Sequence, residues 1–232
     1  MSDSAISDLL AAVGEILANP GLSYDSDSEA FDVFEGYVFA LVIDVARAMN
    51  LQVTYQDMHG NTTDDLVFRT SPGYIGNGGY THAVLTFPEA AVPDLEVHVG
   101  VYVRGRSGVR HECDVLILEA SEAARGRTRV RPDKEPSELA DHRACVLAIE
   151  CKYHADGRLK LGEARGFEGL HVDLVHPHTV LASNGRSGSV RRYLKDRNRG
   201  VAQSLTPNAR PEVGHVQQLI AAALRAHRDR WT

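Results

Sequence analysis

Two apolar segments of this chain carry charged residues where a buried strand should have none. In His111-Glu112-Cys113-Asp114-Val115-Leu116-Ile117-Leu118, acids interrupt a run that ends wholly apolar. In Val146-Leu147-Ala148-Ile149-Glu150-Cys151-Lys152-Tyr153, an acid and a base close an apolar run. Side chains alternate along a strand with a period of two, so Glu150 and Lys152 share a face, and so do Glu112 and Asp114. A carboxylate in such company is costly to desolvate unless it is paired or holds a cation. Clustered Asp and Glu oxygens select hard divalent ions such as Mg2+ or Mn2+. The plainer alternatives are a salt bridge between Glu150 and Lys152, and a solvent-facing Glu112.

The elements that must position these residues follow from periodicity and breakers. An amphipathic helix spans Ser4–Ala18, with Ile6, Leu9, Leu10, Val13 and Leu17 on one side and Asn19-Pro20-Gly21 ending it. After an acidic link, a second helix is predicted over Glu29–Asn50, its apolar stripe formed by Phe31, Phe34, Val38, Leu41, Val42 and Val45. Strands follow at Leu51–Tyr55, Thr81–Phe87, Leu95–Arg104 and Val109–Leu118, the last two joined by the turn Gly105-Arg106-Ser107-Gly108. The polar, Gly-rich stretch His59–Tyr80 reads as a loop and does not match a phosphate-cradling GxxxxGK[ST]. Residues 119–144 form an insertion in which Arg125, Arg127, Arg129 and Arg131 alternate, either a second clamp or a plain loop. Cys145–Tyr153 reads as a central strand. A helix at Leu159–Leu170, a strand at Thr179–Ala182, a basic helix at Ser189–Gly200 and a helix from His215 to Trp231 complete the chain. The order predicts one α/β domain over 1–232, an α/β/α sandwich around a central mixed β-sheet, with 1–28 as helix and acidic link, 29–200 as core and 201–232 as C-terminal helix.

An Asp ending one hydrophobic strand, followed by Glu-x-Lys on the next, resembles the PD-(D/E)xK nuclease superfamily, with its restriction-endonuclease-like core. The motif here is Asp114 with Glu150-Cys151-Lys152, although no Pro precedes Asp114 and 36 positions separate it from Glu150. That family often supplies a further Glu from a helix ahead of the sheet, and Glu35 fits that place beside the buried stripe. The resemblance implies that Asp114 and Glu150 hold Mg2+, with Mn2+ as a substitute, helped by the Cys151 carbonyl and by Glu35. It implies that Lys152 orients a water and that DNA phosphodiester bonds are hydrolysed to a 5′-phosphate and a 3′-hydroxyl. A setting in restriction or phage defence follows by family analogy. In Leu161-Gly162-Glu163-Ala164-Arg165, Glu163 or Arg165 is placed to face the site. Because cutting both strands of a duplex takes two active sites, a homodimer is expected.

Charge is unevenly spread over the 232 residues, whose formal net is −6. Residues 1–46 hold nine acids and no Lys or Arg, whereas residues 151–232 hold fourteen bases against seven acids. Arg186, Arg191, Arg192, Lys195, Arg197 and Arg199, opposed only by Asp196, form a candidate nucleic-acid surface. The loop Ser183–Ser189 before it can offer main-chain amides to a phosphate. An exposed basic helix without a ligand is the alternative. Only four of the 25 bases are lysine, which sets Lys152 apart.

No apolar run reaches the roughly 18–20 residues of a membrane helix, and the N-terminal stretch is acidic, so neither membrane insertion nor secretion is expected. Three cysteines without a CxxC pair argue against structural zinc and fit a reducing, cytoplasmic setting. His171, His176 and His178 lack the context of a catalytic zinc site, and the histidines are expected mostly at the surface. No GxSxG elbow and no dinucleotide fingerprint after a strand is found. Competing readings are a catalytically silent nucleic-acid-binding or assembly protein on the same fold, and an RNA-directed nuclease. A licensing partner or nucleotide signal is left open.

Overall fold

The computed structural model describes residues 3–18, 21–24, 28–128, 139–175 and 178–232. Helix α1 (Asp3–Leu17) leads to a short strand β1 (Gly21–Leu22), then helix α2 (Ala30–Ala48). Strands β2 (Gln52–Gln56), β3 (Asp65–Leu66), β4 (His82–Thr86), β5 (Leu95–Arg104) and β6 (Arg110–Glu119) follow. Helix α3 (Ala120–Thr128), strand β7 (Ala140–Asp141) and a 3-10 turn (His142–Ala144) precede β8 (Cys145–Lys152). The chain closes with α4 (Leu161–Leu174), β9 (Thr179–Ser183), α5 (Gly188–Asp196), β10 (Gly200–Ala202) and α6 (Arg210–Arg228).

The main sheet runs β10-β9-β8-β6-β5-β4-β2, with β7 alongside β5. Pairing is parallel from β10 through β8 and antiparallel from β8 to β2, so the sheet is mixed. Two apolar cores cover its two faces. One joins α1, α2 and α6 to the sheet through residues such as Val13, Phe34, Ile149 and Ile220. The other seats α4 and α5 through Phe167, Leu170, Val190 and Leu194. The fold is thus α/β, a mixed central sheet flanked by helices. Among the described residues no helix is long and apolar enough to cross a membrane.

Helix α2 is buried nearly all round because α1 and α6 pack on it from outside the sheet; its Glu35 is half-buried, and Phe31, expected in the stripe, is 49% exposed. The stretch His59–Tyr80 is not all loop, because β3 pairs with β1. Arg69 pins this stretch, donating to the carbonyls of Tyr74 (2.8 Å) and Asn77 (2.6 Å) and stacking on Tyr80. The basic helix ends at Asp196, and Gly200 opens the edge strand β10, so the boundary expected at 200/201 cuts a strand. The last helix begins at Arg210, five residues before His215, where Pro211 sits in a first turn that needs no N–H. Its Val216, Ile220, Ala223 and Leu224 pack into the first core.

The insertion 119–144 opens with α3. There Arg127 pairs with the buried Glu96 and Arg125 with Glu122, so neither is a free clamp, while Arg129 and Arg131 lie outside the described residues.

Strand alternation slips between β5 and β6. Val99 and Val115 face the first core, yet Val101 and Cys113, two positions on, face the second. Between them Gly100 takes φ +61°, and the Gly100–Asp114 pair is missing from an otherwise continuous ladder. A Cβ on Gly100 would also come within 3.3 Å of Arg69 Cβ, so both conformation and space call for glycine.

Candidate active site

The ladder between β6 and β8 ends at Val115–Ile149. Beyond it the Cys151 N–H donates to Asp114 Oδ2 at 2.6 Å, so the carboxylate takes a hydrogen bond next to the point where main-chain pairing stops. This holds Asp114 between the two residues flanking Cys151. Lys152 Nζ lies 2.6 Å from Glu150 Oε1 and 4.0 Å from Asp114 Oδ2. Asp114 and Glu150 therefore reach the same ammonium and stand on one side of the sheet. Behind Lys152, Ser183 Oγ donates to its carbonyl at 2.7 Å and fastens β8 to β9.

Glu35 from α2 and Glu112 from β6 join them on the wall of one open cavity of about 490 Å3, together with His111, Gly166, Gly169 and Leu170. Four carboxylates thus share one ammonium. Burial, then Asp114, Asp32 and Glu112, push the Glu35 carboxyl up to about 9 against the pull of Lys152. Burial and Glu150 raise Asp114 to about 7, although Lys152 and the Cys151 N–H oppose them. Glu112 is raised by burial and by Glu150. Burial works to lower Lys152, but Glu150 and Asp114 outweigh it and hold its pKa above the usual lysine value. The site thus carries more negative charge than its one cation balances, and it strains against ionisation.

The donor set fits a hard divalent ion by chemistry: carboxylate oxygens at a cavity that solvent can enter. Asp114 and Glu150 could hold one, and Glu35 lines the same cavity. Among the described residues, no three of these acids bring oxygens within 4.8 Å of one another all round, and Lys152 Nζ lies within 4.0 Å of both Asp114 and Glu150. The Glu150–Lys152 salt bridge exists, and Asp114 shares the same ammonium at 4.0 Å, whereas Glu35 and Glu112 have no ion pair among the described residues.

Other expected residues are placed differently. Glu163 accepts the Lys160 N–H at 2.7 Å and lies 3.1 Å from His154, capping α4 rather than lining the cavity. Arg165 is exposed and is also absent from the lining. Arg186, Arg191, Arg192 and Lys195 are exposed, and among the described residues none has an acidic partner. Arg197 lies over Tyr193 and pairs with Asp196. Arg199 forms a two-pronged pair with Glu168 at 3.0 and 2.8 Å, so it belongs to the scaffold. The amides of Gly185, Arg186 and Ser187 are taken by Ser183, Gly157 and Gln203, which leaves little of the loop for a phosphate.

Sequence reasoning gave no role to His111, Gly166 or Gly169. His111 Nε2 lies 2.6 Å from Asp173 Oδ2, and Ser107 Oγ binds the same carboxylate at 2.6 Å. A Cβ on Gly162, Gly166 or Gly169 would meet nothing within 4 Å, and spacings of four and three put all three on one face of α4. That spacing was the available signal. His82, His98, His142 and His227 are buried, against the expectation of surface histidines.

The chain matches no protein-family model, no curated protein and no solved structure.

Proposed function

We propose that this chain is a Mg2+-dependent endonuclease of the PD-(D/E)xK type that hydrolyses DNA phosphodiester bonds. The observation that carries the reading is the convergence of Asp114, Glu150, Glu35 and Lys152 on one cavity from three separate elements. A site without a ligand has no physical reason to retain so costly a concentration of carboxylates.

Asp114, Glu150 and Glu35 are the carboxylates that would hold the ion, with the Cys151 carbonyl beside them. Bound there, the ion would lower the pKa of a water and neutralise charge on the phosphate. Lys152 orients that water and stabilises charge developing on the phosphoryl oxygens, a role suited to a compact ammonium. The Cys151 N–H fixes Asp114, and Ser183 fixes the strand that carries Lys152. The open face of α4 gives a polymer room to approach. The exposed bases of α5, the helix that follows β9 beside β8, suit its phosphates. Restriction or phage defence is the setting that the resemblance favours.

The test is incubation of the purified protein with plasmid, linear duplex and single-stranded DNA, and with RNA, under Mg2+, Mn2+ or chelator. Cleavage of DNA that chelator stops, and that Asp114→Asn and Glu150→Gln abolish in folded protein, is the expected result. Retarded DNA with no product under either ion would favour the catalytically silent alternative. Preferential loss of RNA would reassign the substrate.

A further inference from the structure

On the other part of the sheet, β4 and β5 hold a second group of ligand atoms that the proposed nuclease site does not use. We propose that His82, Glu96 and His98 bind one transition-metal cation, Zn2+ by their chemistry, as a structural site that ties β4 and β5 to the α3 side of the sheet.

The strand register sets the group up. The β4–β5 pairing places His82 opposite His98, and Glu96 lies two residues along β5 on the same face. The imidazoles stack with centroids 4.8 Å apart and planes 16° from parallel. Both Nε2 atoms lie close to one oxygen, Glu96 Oε2, at 2.9 Å (His98) and 3.3 Å (His82), but only His98 is aligned to hydrogen-bond it. All three ligand atoms lie within 4.8 Å of one another, and among the described residues no other three His, Cys, Asp or Glu do so. All three residues are buried, at 2%, 3% and 6% exposure.

A hydrogen-bonded network alone leaves one member unsatisfied. His98 bonds Glu96, but His82 Nε2 is buried with no hydrogen-bond partner. Such an orphan costs about 1–3 kcal/mol. A cation accepting lone pairs from both imidazoles and from Glu96 removes it. Zn–N and Zn–O bonds of about 2.0–2.1 Å in a tetrahedron put ligand atoms about 3.3–3.4 Å apart, close to the 2.9 and 3.3 Å between the two Nε2 atoms and Glu96 Oε2.

The surroundings also choose the ion. Arg127 grips Glu96 through two bonds of 2.7 and 2.6 Å, orienting the carboxylate as outer partners of metal ligands do. Arg127 and Arg69 add positive charge near the site, with Glu96 and then Asp57 as the acids acting on His82. Two of the three donors are imidazole nitrogens, which favours Zn2+ over the hard cations that seek oxygen. Beside His82 and His98, a cavity of about 10 Å3 lined by Arg69, Tyr80 and Thr81 has room for about one water as a fourth ligand. A substrate does not fit there, so the site is structural.

The experiment uses the full chain carrying Asp114→Asn and Glu150→Gln, which removes the other acidic site from the count. After loading with Zn2+ and passage over chelating resin, zinc per chain is measured by atomic emission, and Tm is read with and without zinc. One zinc per chain and a higher Tm are expected, both lost on adding His82→Gln, and Mg2+ should give no Tm shift. Zinc well below one per chain, or one zinc retained after both His82→Gln and His98→Gln, would overturn the site. If the histidine variants do not fold, Co2+ loading of the parent decides: visible d–d bands of a four-coordinate nitrogen–oxygen site support it, and their absence rejects it. The outcome is independent of whether the chain cuts DNA.

Discussion

The amide of Cys151 binds the carboxylate of Asp114 at 2.6 Å, just past the last main-chain pair between β6 and β8. The two strands thus part at the site, and the hydrogen bond that joins them there is a side-chain one. Asp114 is thereby aligned with the strand that carries Glu150 and Lys152, and the alternation slip at Gly100 lies on its other side.

The role of Lys152 separates chemistry from simple pairing. Lys152→Arg keeps the charge next to Glu150, so folding stability should change little. Cleavage should nevertheless fall by roughly 10²–10³-fold, because a planar guanidinium does not place its charge where the ammonium does. Wild-type turnover by the Arg variant would reduce Lys152 to a salt-bridge partner. Initial rates on plasmid, beside urea unfolding curves, give both readings.

Stability should depend on pH through Asp114 and Glu35. Their carboxyls stand at about 7 and about 9, against 3.8 and 4.5 ordinarily. Between those values the folded protein keeps protons that the unfolded chain has released, so stability falls as pH rises from about 4 to about 9. Mg2+ favours the ionised acids and should flatten the fall while releasing protons. Glu35→Gln should remove the alkaline part of the slope and stabilise the metal-free protein near pH 9 by on the order of 1–3 kcal/mol. Denaturant titrations across this range, with Mg2+ and with chelator, measure it; a flat metal-free profile contradicts the account.

The bare face of α4 gives opposed effects in a single substitution. Gly166→Leu and Gly169→Leu place side chains in open space, and helix propensity should stabilise each by about 0.5–1 kcal/mol. The same side chains narrow the cavity beside Asp114 and Glu150, so cleavage should fall as Tm rises. Unchanged cleavage would mean that the polymer does not approach along α4.

Basic residues of one segment should divide into two behaviours. Arg191→Ala, Arg192→Ala and Lys195→Ala together should weaken DNA binding and make its log–log salt slope shallower by up to about 3, with stability unchanged. Arg199→Ala should instead cost about 1 kcal/mol of stability through its pair with Glu168, with little effect on the slope. Fluorescence anisotropy over a salt series distinguishes them.

Much of the scaffold was legible because periodicity is a local property. Apolar spacing located α1, α2 and the strands β2, β4, β5, β6, β8 and β9, and the same period of two singled out Asp114, Glu150 and Lys152 as acids and a base in the wrong company. Strand β10 escaped because three residues, Gly200–Ala202, have too little pattern to read until β9 pairs with them. Arg127 and Arg199 looked like free cations because their partners, Glu96 and Glu168, are each 31 positions away.

The residue order by itself determined which side chains break an apolar strand, and therefore that a costly charge had to be compensated somewhere. Only the tertiary structure decided where. Glu35 meets Asp114 because α2 packs across the sheet, and His82 meets Glu96 and His98 because β4 and β5 pair in one register among several their sequences allow. Periodicity acts over a few residues, whereas desolvation and Coulomb energies depend on distances in space, which the packing of the whole chain sets.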